Sequence, residues 1–113
     1  MPTRWSDDIT VSELSDEPAL SEELGSLIAH VEGQTQRASH AVLNFNDVTY
    51  VNSSNLGQLL KLRKKLTESG RSVVLCGVCD EVMSVIRVTG LDRVFRFAPD
   101  PLTALAMLQI ADE

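Results

Sequence analysis

Ala41-Val42-Leu43-Asn44-Phe45-Asn46-Asp47-Val48-Thr49-Tyr50-Val51-Asn52-Ser53-Ser54-Asn55-Leu56-Gly57 is the stretch whose reading decides the fold. Its first five residues form an apolar run short enough to predict a buried strand. Asn46-Asp47 interrupts the run, and Val48-Thr49-Tyr50-Val51 is short and β-prone. Asn52-Ser53-Ser54-Asn55 then offers four residue types that favour helix caps, with Ser53 the expected cap, so a helix is predicted to begin there. Leu56, Leu59, Leu60, Arg63 and Leu66 are read as one face. That turns the leucines inward and leaves Lys61, Lys64, Lys65 and Glu68 in solvent. Gly70 is the predicted stop.

Working outward, Ile9-Thr10-Val11-Ser12-Glu13-Leu14 alternates with period two and is predicted to be an edge strand with one buried face. Ser15-Asp16-Glu17-Pro18 breaks that pattern. From about Ser21 to Val31, the spacing of Leu24, Leu27, Ile28 and Val31 predicts an amphipathic helix, with Glu22 and Glu23 near the positive end of its dipole. The stretch from Gly33 to His40 is polar and turn-like. Downstream, Val73-Val74-Leu75 marks a third strand reaching Cys76. Asp80 is the expected cap of a helix that turns Val82, Val85, Ile86 and Met83 inward and closes at Gly90. Val94-Phe95-Arg96-Phe97 reads as a fourth strand. Pro101 suits the first turn of a last helix whose Leu102, Leu105, Met107, Leu108 and Ile110 are expected on one sheet face. Residues 1–8, with Pro2 and Trp5, show no periodicity and are read as an arm, Trp5 being a candidate to dock on the body. Residues 9–113 make the domain.

Alternation of strand and helix implies right-handed crossovers. The expected fold is a single α/β domain, with a four-to-five-stranded, mostly parallel central sheet and about four helices packed mainly on one face. A chain of 113 residues, 43% hydrophobic, supports one core of that kind and not two. A net charge of −6 disfavours direct binding to nucleic acid, because phosphate repels it. No apolar run approaches the roughly 20 residues that span a bilayer, and residues 1–8 lack a signal peptide's basic-then-apolar order. A cytoplasmic location without membrane insertion is expected, with a protein partner or small ligand.

Three features could carry chemistry. The Asn52–Gly57 segment sits where a strand hands over to a helix, and exposed N–H groups at a helix start favour an anion such as a phosphoryl group on Ser54. Read on its own residues, the segment is better explained as plain capping, since Ser and Asn are the usual caps and nothing local demands more. Cys76-Gly77-Val78-Cys79 is a C-x-x-C at a strand-to-helix transition, the placement of many redox thiols, although a buried Cys76 would be a small core residue. Zinc would need two further ligands, and the only histidines, His30 and His40, follow no finger spacing, so no metal or other cofactor is expected. The basic run Lys61, Arg63, Lys64, Lys65 lacks aromatic interleaving and reads as a solvated helix face or as a surface for an acidic partner. No phosphate loop, nucleophile elbow or zincin helix occurs, so no enzymatic activity is expected.

From Ala41 onward the chain resembles the STAS domain of bacterial anti-sigma-factor antagonists. That family's pattern is a hydrophobic strand, a short loop, then D-S-S-G-L-G. Ser72-Val73-Val74-Leu75-Cys76 and Val88-Thr89-Gly90-Leu91-Asp92-Arg93-Val94-Phe95 agree with two further stretches of the pattern, the second with its "TGLD-hydrophobic" segment. The resemblance implies a regulatory protein, switched when an ATPase-type serine kinase that is also the anti-sigma factor phosphorylates the second motif serine, here Ser54. A phosphatase would reset it. Asn52, Ser53, Asn55, Gln58 and Lys61 are the implied partner-binding residues. Asn52 stands where the family has aspartate, and Asn55 stands where it has glycine, adding bulk where a kinase approaches. The family's N-terminal two-strand hairpin and G-x-L-D are represented only by Asp16-Glu17-Pro18-Ala19-Leu20, so the surface of that hairpin is expected to be altered or missing. Two rival readings are a degenerate, non-phosphorylated STAS scaffold subunit of a signalling or transport complex and a C-x-x-C redox or metal module.

Overall fold

The computed structural model describes residues 2–4, 9–33 and 39–111. Trp5, most of the polar 33–40 connection and the Ile110 side chain lie outside the described residues. Five strands, β1 (Pro2–Arg4), β2 (Ile9–Ser15), β3 (His40–Asp47), β4 (Val73–Cys76) and β5 (Arg96–Ala98), form one sheet in sequence order. β1 runs antiparallel to β2, and the other pairings are parallel. The helices are α1 (Ala19–Gly33), α2 (Ser53–Glu68), α3 (Asp80–Val88) and α4 (Pro101–Ala111), with a 3₁₀ turn at Leu91–Arg93.

The central strands are apolar at successive positions because the sheet is covered on both sides. Leu43, Phe45, Val73 and Leu75 face one core, with Leu24 and Leu27 of α1, Leu59 and Leu66 of α2, and Val82 and Ile86 of α3. Val42, Val74, Cys76 and Ile9 face the opposite core, which α4 covers with Ala104, Leu105 and Leu108. Three helices therefore occupy one face and one helix the other. The parallel register sets Val42 opposite Val74 and Leu43 opposite Leu75, so each layer continues across neighbouring strands.

Several boundaries and orientations differ from expectation. β2 lies inside the sheet, not at its edge, because Pro2–Arg4 pairs with Thr10–Ser12. Three residues are too few to show alternation, and this pair supplies the N-terminal antiparallel strands that the sequence appeared to lack. Val48–Val51 is a loop, held by burial of Val48 and Val51. On α2 the inward residue is Leu62, while Leu60 is 39% exposed. At about 100° per residue, Leu62 lies only 60° from Leu59, whereas Leu60 lies a full 100° away. Cys79, not Asp80, occupies the cap of α3, and Asp80 is its first residue, where a carboxylate meets the positive end of the dipole. Val94 and Phe95 precede β5. On α4, Leu102 is 77% exposed, and the helix turns the small Ala104 to the sheet instead.

Candidate functional site

The β3–α2 junction is built from three elements. After β3, the Val48 N–H donates to Phe45 O at 2.9 Å and turns the chain, while the buried Val48 and Val51 pin the loop to the core. Asp16, just past β2, holds the loop's outer side. Its carboxylate accepts hydrogen bonds from the Thr49 N–H at 2.8 Å, the Thr49 hydroxyl at 2.7 Å and the Tyr50 N–H at 3.3 Å. The Thr49 hydroxyl, followed by the Thr49 N–H, holds the Asp16 carboxyl below its ordinary range. Tyr50 is left exposed beside the start of α2.

α2 is capped by Asn52, not Ser53. Asn52 has extended backbone (φ −109, ψ 176), and its side chain accepts from the Asn55 N–H at 2.9 Å, while the Asn55 side chain accepts from the Asn52 N–H at 2.9 Å. This reciprocal pair is a capping box, in which two amides satisfy two otherwise orphaned N–H groups. The Leu56 N–H goes to Asn52 O. The N–H groups of Ser53 and Ser54, the first two residues of the helix, are thus the ones left at its open end. Both serines are exposed, and the first turn of α2 carries no acidic residue. A negative group on Ser54 would therefore sit in the field of the helix amino end.

Asn55, expected on the docking surface, is 0% exposed. Its amide nitrogen donates to Glu17 Oε2 at 3.2 Å and to Ser21 Oγ at 3.3 Å, so its bulk points into the α1–α2 seam and away from any approaching protein. Glu17 also accepts the Ser21 N–H at 2.6 Å and the Ser21 hydroxyl. The Ser21 hydroxyl, then its N–H, hold the Glu17 carboxyl below the ordinary range, with Asn55 and Asn52 contributing. Gln58 is half-buried and donates through Nε2 to Ser21 O at 3.1 Å. Lys61 is exposed, two turns beyond Ser54 and on the same face, with exposed Gly57 between them. Ser53, Ser54 and Lys61 therefore share an accessible strip, whereas Asn55 supports it from below.

The basic run is only partly a solvated face. Lys61 and Lys64 are exposed, Lys65 pairs with Glu32 at 3.6 Å, and Arg63 Nε donates to Val94 O at 2.7 Å, tying α2 to the turn before β5. The cysteines do not converge. Cys76 is buried in the core beneath α4, where burial first, and then the charges of Glu13 and Asp100, push its thiol up to about 11. Cys79 packs against the opposite core and donates weakly to Val48 O at 3.6 Å. The sheet thus separates two thiols that a redox or metal pair needs side by side. Among the described residues no group of three or more His, Cys, Asp or Glu side chains is placed to hold a metal. His40 is buried at the start of β3, with Nδ1 accepting from the Ser72 N–H at 2.9 Å.

Sequence reasoning took Asp16 and Glu17 for a break after the strand and Ser21 for the start of the first helix, and overlooked their part in the site. The available signal was two consecutive carboxylates immediately before a helix, which is also an ordinary turn composition.

The STAS-domain family profile matches residues 10–104. The chain belongs to the STAS-domain family. An anti-sigma F factor antagonist from Paenibacillus polymyxa is 25% identical over 77 residues, covering 68% of this chain and 66% of that relative, just under two thirds of its length. Among solved structures, a serine-to-glutamate variant of Moorella thermoacetica RsbS superposes with a TM-score of 0.82 at 17% identity, over 99% of this chain and 96% of that one. The Bacillus cell fate determinant SpoIIAA in its phosphorylated form gives 0.71 at 16% identity, over 95% and 96%. The architecture is thus that of a single STAS domain, with Ser53 and Ser54 at the head of α2. Among the described residues no helix is long and apolar enough to cross a membrane.

Proposed function

We propose that this STAS domain is a cytoplasmic antagonist of an anti-sigma factor that is also an ATPase-type serine kinase, and that phosphorylation of Ser54 switches the two apart. The observation that carries the reading is the placement of Ser54. Its residue is exposed on the first turn of α2, beside open N–H groups, on a strip that continues through Gly57 to Lys61. In the unphosphorylated protein that strip docks the kinase. A phosphoryl group adds roughly two negative charges at its centre, and a dianion desolvated without a cationic partner costs several kcal/mol. Moving a partner from 99% bound to 99% free takes about 5.5 kcal/mol, so one such group is of the right size to act as a switch. A phosphatase returns the protein to its docking state.

Asn52 and Asn55 fit this reading better than that of a degenerate scaffold, because they form a complete capping box and Asn55 is removed from the surface. Incubation with ATP and an ATPase-type serine kinase, followed by peptide mass spectrometry, tests the proposal. One phosphate on Ser54, absent from Ser54→Ala, is expected. No modification at any serine, or modification that persists in Ser54→Ala, defeats it.

A further inference from the structure

We infer that Glu17 is the positioning residue of the acceptor turn, holding it through Asn55 from just before α1. The inference rests on the proposed role of Ser54 and concerns what holds that serine in place. Glu17 Oε1 accepts the Ser21 N–H at 2.6 Å, while Oε2 accepts both the Ser21 hydroxyl and the Asn55 amide at 3.2 Å. Asn55 is the residue after Ser54, is fully buried, and uses its remaining oxygen to bind the Asn52 N–H at 2.9 Å. One carboxylate thus anchors the side chain that completes the capping box around Ser53 and Ser54. A glycine at residue 55, as in the family pattern, has no side chain to be held, so Asn55 and Glu17 work as a pair. The Gln58 amide, bonded to Ser21 O at 3.1 Å, closes the same seam one turn further on.

The donor and acceptor pattern gives a selective test. Both Glu17 oxygens accept, and the Asn55 Nδ2 group only donates. Glu17→Gln replaces one acceptor by an NH₂ group, which must either face the Asn55 NH₂ or abandon the Ser21 N–H. Combining Glu17→Gln with Asn55→Asp exchanges the partners: the new amide donates to the new carboxylate, whose other oxygen still accepts the Asn52 N–H. In the full chain, amide hydrogen exchange followed by NMR should be faster at Asn55 in Glu17→Gln by roughly tenfold, the loss of about one charge-assisted bond. Protection in β3 should be unchanged, and the double variant should return to the wild-type protection factor at the amide of residue 55. With the kinase, Glu17→Gln should lower kcat for transfer to Ser54 by a similar factor with KM little changed, and the double variant should recover it.

Unchanged exchange at Asn55 in Glu17→Gln, or no recovery in the double variant, overturns the inference. So does phosphorylation at the wild-type rate despite faster exchange. If wild-type protein takes no phosphate, the proposed switch fails while the exchange data still decide whether Glu17 holds the turn.

Discussion

Replacing Gly77 by alanine should be the most destabilising of the glycine-to-alanine changes in the loops, and its cost can be built from two separate terms. Gly77 links β4 to the cap of α3 with φ +66, in the left-handed region. An L-residue held there costs about 1 kcal/mol. A Cβ would also come within 3.0 Å of Asn44 Oδ1 and 3.2 Å of the Asn46 N–H nitrogen, which are themselves hydrogen-bonded to each other at the end of β3. Displacing that closed turn adds roughly 1–2 kcal/mol, for a total of about 2–3 kcal/mol. With a urea slope of about 1.5 kcal/mol/M the unfolding midpoint falls by about 1.3–2 M. Gly70 isolates the first term, since its φ is +73 and a Cβ there meets nothing within 4 Å, so Gly70→Ala should cost only about 1 kcal/mol. Gly57, inside α2 with nothing within 4 Å and no positive φ, supplies the opposite sign. Gly57→Ala should stabilise by about 0.5–1 kcal/mol. Urea titrations monitored by circular dichroism give all three values. A Gly77→Ala midpoint no lower than that of Gly70→Ala would refute the steric term, and a wild-type midpoint would refute both.

Native protein treated with a thiol reagent at pH 8 should modify Cys79 alone, Cys76 reacting only after unfolding. Rapid modification of both cysteines would contradict the separate burial of Cys76. The carboxyls of Asp16 and Glu17 are lowered in the folded state, so each favours the folded form above its ordinary pKa and loses that contribution as pH falls through the folded value. Stability measured by urea titration should therefore decline on acidification through and below the ordinary carboxylate range, and Asp16→Asn should flatten part of that decline. Phe45→Ala, at a fully buried position in the larger core, should cost about 3–5 kcal/mol in the same assay. Ser54→Asp should leave stability within about 0.5 kcal/mol while weakening kinase binding by calorimetry. Undiminished binding would favour a scaffold that does not switch.

Much of the fold was readable because its signals are local and periodic. The apolar run Ala41–Phe45, the capping residues at Asn52–Asn55 and the stripe of Leu56, Leu59 and Leu66 each follow from backbone geometry, and all three were in place. The Leu60 reading failed on geometry the sequence already held, since Leu62 lies about 60° from Leu59 and Leu60 about 100°, and Leu62 is the buried one. On α4, close approach to the sheet favoured the small Ala104 over Leu102. β1 was unreadable because a three-residue strand is defined by its partner, here Thr10–Ser12.

The sequence alone determined that a serine would stand at the head of a helix after a buried strand, since capping preference and hydrophobic pattern are properties of neighbours in the chain. Only the tertiary structure decided what the flanking asparagines do. Which way the Asn55 amide points depends on Glu17 and Ser21, more than thirty residues away along the chain. It depends equally on α1 and α2 packing side by side on one face of the sheet. Hydrogen bonds across such a seam are specified by three-dimensional proximity, and no spacing in the sequence encodes them.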